Sequence, residues 1–131
     1  MANISAYGEK AMLDWVLGGA TPTQPASRYV ALSLGTPTSV TGSEVQAASG
    51  YLRQTGLFGA AASPAGSASN TAAMTFGPFS SSAAIQGVMV WNTASINSGS
   101  MLWYGTLQTA RTVLAGDSLV IDVGQLIITL S

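Results

Sequence analysis

From residue 3 to residue 19 the apolar positions of the chain fall three and four apart: Ile4, Tyr7, Ala11 and Trp15, with Met12, Leu13, Val16 and Leu17 widening the stripe. That period predicts a helix over residues 1–19, with Glu9, Lys10 and Asp14 on a separate arc. Asn3 or Ser5 can cap its start, Glu9 suits the positive end of the helix dipole, and Gly18–Gly19 supply a left-handed stop. A face this broad needs something to lie against. Ile4, Met12, Trp15 and Val16 are therefore candidate interface residues.

After the proline loop "TPTQPAS" (21–27) the period changes from helical to two. "RYVALSL" (28–34) alternates as a strand, and "GTPTSVTGSEVQAAS" (35–49) has turn chemistry without periodicity and reads as a long loop. "YLRQTGLF" (51–58) sets Leu52, Gln54, Gly56 and Phe58 against Tyr51, Arg53, Thr55 and Leu57. "GAAASPAGSASN" (59–70) is small and low in complexity, and "TAAMTF" (71–76) puts Ala72, Met74 and Phe76 on one face. Further strands are expected at 84–92, 101–108 and 111–114. In "SLVIDV" (118–123) Leu119, Ile121 and Val123 point inward and Asp122 outward. In "QLIITL" (125–130) Leu126, Ile128 and Leu130 share a face. Many short strands, frequent turns and one terminal helix predict a mainly β protein. The expected fold is an antiparallel β-sandwich or jelly-roll-like domain with one N-terminal α-helix. A single domain is expected over 1–131, with the helix in 1–19 and the sandwich in 28–131.

Composition sharpens this picture by what it removes. Charged residues make up only 7% of the chain and the net charge is −1, against about 25% charged in ordinary soluble domains. Ala, Gly, Ser and Thr supply about half of the residues, so small neutral side chains must cover much of the surface. The four cations Lys10, Arg28, Arg53 and Arg111 are scattered, which disfavours direct contact with nucleic acid. No run is long and apolar enough to span a bilayer as a helix, and the N-terminal apolar stretch, broken by Asp14, does not read as a secretory signal.

The same inventory argues against an enzyme. Without histidine or cysteine, Ser–His–Asp and Cys–His arrangements are impossible, and the commonest zinc ligands are missing. No phosphate- or dinucleotide-binding glycine motif occurs. Glu9 and Asp14 read as solvated helix residues and Asp117 as a turn residue, while Glu44, Asp117 and Asp122 are at most weak candidates for calcium. Trp91, Trp103 and Tyr104 read as core or interface, with a sugar-stacking platform as the competing use. No cofactor is expected.

Arg53 is the residue that stands out. In alternation with Leu52 and Gln54 it would share the outer face of its strand with Tyr51, Thr55 and Leu57. There it could stack on Tyr51 or pair with an acid from a neighbour. Two readings stay open: a polar residue on an exposed face, or an anchor between subunits, since its planar fork suits interfaces.

The ordered set of segments resembles a family of small tailed-bacteriophage virion proteins of the tail-fibre-like or head-decoration kind. It runs from the helix ending "LGG" through "RYVALSLGTPT", "GSEV", "GYLRQTGLFGAA" and "SNTAAMTFGPF" to an apolar strand around Trp91. "MLWYGTLQTARTV" and "AGDSLVIDVGQLIITL" complete it. The sequence departs from the pattern at Ser43, where Thr is expected, and at "VWNTAS" (90–95). The resemblance implies a non-enzymatic virion protein. The first expectation is a capsid decoration (cement) protein on the outer head surface, with the major capsid protein as partner. The chain itself would be a homo-oligomer, with trimers at local threefold positions suggested by shell geometry. A tail or tail-fibre-associated protein is the alternative, and a sugar-binding β-sandwich the more distant one.

Overall fold

The computed structural model describes residues 2–40, 42–46, 50–61 and 66–129. The fold is mainly β, with antiparallel sheets and one helix near the N-terminus, as the alternating pattern predicts. Strand β1 (Ala2–Ile4) leads directly into helix α1 (Ala6–Leu17). Then come β2 (Tyr29–Ser33), β3 (Gln54–Thr55), β4 (Ser67–Ser69) and β5 (Met74–Phe76), followed by β6 (Ala83–Trp91), β7 (Met101–Val113), β8 (Leu119–Ile121) and β9 (Ile127–Thr129). A five-stranded sheet has the order β1-β7-β6-β2-β3, and two ribbons, β4-β9 and β5-β8, stand apart from it. The layer facing the main sheet is thus two separate ribbons rather than a second continuous sheet.

Directly opposed residues in antiparallel strands share a face. The pairs Val30↔Val90, Leu32↔Val88, Val90↔Trp103 and Ile4↔Trp103 therefore build one apolar face of the sheet. Leu119 and Ile121 of one ribbon, Ile128 of the other and Leu126 just before it pack against the core that includes this face. The other face, with Ala31 and Met89, is covered by residues of 35–40 and 42–46, Pro37 and Gly42 among them. Contact there is so close that a Cβ on Gly87 would come within 2.5 Å of Pro37 Cδ. Only glycine lets the loop lie on β6 at that point. Strand β2 is covered on both sides, and its Val30, Ala31, Leu32 and Ser33 are fully buried.

Several expectations need correction. Ile4 belongs to a strand, not to the helix face: β1 pairs with Trp103–Gly105, and the helix starts only after Ser5. Ser5 is the cap that forms. Its hydroxyl accepts from Gly8 N at 3.0 Å and donates to the Met101 carbonyl, tying the first turn to β7. The stretch 51–58 is not one strand, because only Gln54–Thr55 pairs with β2 and Phe58 bridges separately to Asn70. The expected strands at 101–108 and 111–114 are one strand. Its register shifts where Gln86 alone stands opposite Leu107–Ala110, a bulge that absorbs the interruption. Part of the low-complexity segment 59–70 forms β4, which β9 recruits through Ser67↔Thr129 and Ser69↔Ile127. Met74 and Phe76 are buried as expected, but Val123 is exposed. Leu130 lies outside the described residues.

Candidate functional site

Beyond the short β3, the outer edge of β2 is finished by two other segments. Leu34 N donates to Ser43 O and Val45 N to Leu32 O, so Glu44 bridges Ser33. The remaining edge amide, Leu32 N, donates to the hydroxyl of Tyr51 at 3.1 Å. Tyr51 is itself buried, its ring stacked on Phe76 (centroids 6.0 Å apart) and tilted against Phe79. These contacts bring the hydroxyl of Tyr51 and the guanidinium of Arg53 together on the carboxylate of Glu44.

The result is a closed, buried polar cluster around one carboxylate. Arg53 grips Glu44 with two parallel bonds, Nε to Oε2 and Nη2 to Oε1, each 2.7 Å. Tyr51 donates to Oε2 at 2.8 Å, and the backbone amide of Asn97 donates to Oε1 at 3.2 Å. Both carboxylate oxygens are thus doubly engaged. The third nitrogen of Arg53, Nη1, donates to the carbonyls of Thr93 and Ser98 at 2.8 and 3.1 Å. The guanidinium carbon sits 4.4 Å from the centroid of the Trp91 ring. The side chains of Arg53 and Glu44 are 0% and 2% exposed. Burial, reinforced by the neighbouring carboxylate, pushes the Tyr51 phenol well above its usual range, so it stays a hydrogen-bond donor.

Mechanically, the cluster holds the β6–β7 loop, residues 92–100. Arg53 binds its two sides through Thr93 and Ser98, and Glu44 binds Asn97 between them. Asn92 closes the base by accepting from Ser100 N at 2.8 Å. Asn97 adopts a left-handed φ of 60°, which asparagine tolerates well. Gln46 accepts from its side-chain amide at 3.0 Å. A bidentate, desolvated ion pair is strongly orienting, and removing one partner leaves a buried charge uncompensated, at a cost of about 3–5 kcal/mol.

The sequence-derived candidates do not converge. Arg53 is inside the chain, not on an exposed strand face, and its fork is occupied by Glu44 and the loop. Ile4 is half-buried in β1 and Met12 half-buried on the helix, whereas Trp15 and Val16 stand in solvent. Trp103 and Tyr104, adjacent in one strand, point to opposite faces and make no common platform with Trp91. Glu44, the residue that organises the cluster, enters the sequence reading only as a weak calcium candidate. The signal that points to it is scarcity: with five acids and four cations in the chain, a buried arginine has few possible partners. Among the described residues no group of three or more potential metal ligands forms.

The ion pair thus fixes the β6–β7 loop to the sheet. A family model described as Podophage GP4 fiber I protein gp80 matches residues 3–129. The chain belongs to that family, and so to the structural proteins of tailed-phage virions. No curated protein matches it.

Proposed function

We propose that this chain is a non-enzymatic structural component of a phage tail fibre. The observation that carries the reading is the match, over residues 3–129, to a family described by a fibre protein. That match favours the tail-fibre alternative over the capsid decoration role that was the first expectation. The geometry is compatible with a load-bearing part: the buried Glu44 carboxylate is engaged at both oxygens by Tyr51, Arg53 and Asn97, and the Arg53 that it orients holds the loop through two carbonyls.

With few charges available, attachment to the rest of the virion would rely on buried apolar and small-residue surface, and so would persist at high salt. Gold-labelled antibody against this chain, applied to purified particles, tests the assignment by electron microscopy. Label at the tail or its appendages is expected. Label spread over the head shell would overturn the reading in favour of decoration.

A further inference from the structure

We propose that the open seam between β7 and the β8–β9 side of the facing layer is a slot for an extended β-strand supplied by a different virion protein. The main sheet and the facing layer close on each other at one side only. There β3 lies against β5, and Phe58 bridges to Asn70. At the other side stand strand edges that have no partner strand among the described residues. Strand β7 runs from Met101 to Val113, but on its outer side β1 pairs only with Trp103, Tyr104 and Gly105. Residues 106–113 therefore present a free edge of about 25 Å. Strands β8 and β9 each pair with one strand, β5 and β4, and their other sides are open.

Two clefts of about 640 and 600 Å³ lie along this seam, one between residues 111–113 and 117–122, the other between residues 103–108 and 125–129. They share Val88, Leu107, Gln125 and Leu126, and so form one groove. Its apolar lining, with Val88, Leu107, Leu119 and Ile128, is only partly buried. Unpaired backbone on both banks and an apolar floor between them suit a strand with apolar side chains at alternate positions. Strand β1 already shows this mode: it pairs antiparallel with β7 and lies beside β9, filling the first part of the seam. A strand continuing the line of β1 past Ala2 would run opposite residues 106–113. That stretch holds no proline, lysine or acid to guard the edge. The bulge at 107–110 discourages pairing with the flat edge of another sheet, but not entry of a single segment. The banks carry charges of both signs, Arg111 against Asp117 and Asp122, which leaves recognition to backbone and apolar contacts. Every described strand of this chain is held in its own ladder, so a second copy has none to spare. This use of the seam requires the chain to sit in the virion, whether at the tail or the head.

Hydrogen exchange, read by mass spectrometry on the purified full-length chain and on intact virions, tests the slot. Peptides covering residues 106–113 should exchange readily in the purified chain and at least about tenfold more slowly in the virion. Strand β2, buried within the chain itself, should be slow in both. A photoreactive benzophenone side chain in place of Gln108, which is exposed and lines the groove, should on irradiation of virions join this chain to a different protein. Equal exchange of residues 106–113 in the two samples overturns the proposal. A cross-link to a second copy of this chain overturns it too, by giving the groove a different occupant.

Discussion

Arg53 lies across the indole of Trp91, its guanidinium carbon 4.4 Å from the ring centroid, while the edge of the same group is bonded to Glu44. Aromatic face and carboxylate together replace the water that an arginine gives up on burial. The stack also aligns the fork, because Trp91 ends β6 just before the loop that Arg53 binds. Position and charge compensation are thus supplied by one strand end and one edge segment.

Arg53→Met should destabilise the subunit by about 3–5 kcal/mol, because Glu44 would remain buried and unpaired. Arg53→Lys should recover little of this, since a point-like ammonium cannot replace two parallel bonds to Glu44 and two to the loop carbonyls. Combining Arg53→Met with Glu44→Leu should cost less than the sum of the single changes. Urea unfolding of the parent and the four variants, Glu44→Leu alone among them, measures all three effects. If Arg53→Met unfolds at the same urea concentration as the parent, the pair is not the anchor described.

Alkaline pH should weaken the fold through Tyr51. Its phenol is held protonated in the native state mainly by burial, with the Glu44 charge adding to the effect. In the unfolded chain it ionises near pH 10. A folded pKa above the unfolded one contributes stability that is whole below the unfolded value and is lost as pH rises past it. The unfolding midpoint should therefore fall above about pH 10, by an amount that Tyr51→Phe reduces. At neutral pH the same substitution should cost about 1–3 kcal/mol, since it strands the Leu32 amide and one acceptor site of Glu44. Absorbance titration at alkaline pH should show one phenol ionising only as the protein unfolds.

Ser5→Ala should lower stability by about 1–2 kcal/mol and reduce the helical signal. The hydroxyl both caps α1 and bonds Met101 across the sheet. A change in the helical signal without a change in stability would mean that the first turn is not coupled to the sheet.

Trp15→Ala should change the stability of the isolated subunit by no more than about 0.5 kcal/mol, the usual range for surface positions. Thermal melts of the parent and the variant measure it, and a penalty of about 3–5 kcal/mol would mean that the indole is buried after all.

The strands with plain alternation were legible. Tyr29–Ser33, Met74–Phe76, β6 and the 101–108 part of β7 follow from the strand-like runs, and the stop at Gly18 from glycine's tolerance of a left-handed φ. Ile4 was misplaced because a strand of three residues running straight into a helix keeps an apolar residue where either element wants one. The pairing that decides it, with Trp103, comes from about 100 residues further along the chain. Arg53 was misplaced for a related reason. Alternation put Tyr51 and Arg53 correctly on one side, but the identity of that side depends on Glu44, delivered by a loop with no period. Strand β4 was invisible since "SAS" has no propensity of its own and is ordered by its partner β9.

The pairing of Ala2–Ile4 with Trp103–Gly105 has a consequence for biogenesis. Within this chain the strand synthesised earliest waits for one near the far end before its amides find carbonyls, and Ser5 waits with it for Met101. Until then α1 has neither its anchor nor a sheet to stand on. Loop closure over such a distance is slow and leaves apolar segments transiently uncovered. On the ribosome, β2 can meet β6 while β1 is still unpaired, so the edge of the nascent sheet that β7 and then β1 will fill remains open. Chaperone contact should therefore concentrate on the segment of β1 and α1, and should end when β7 emerges.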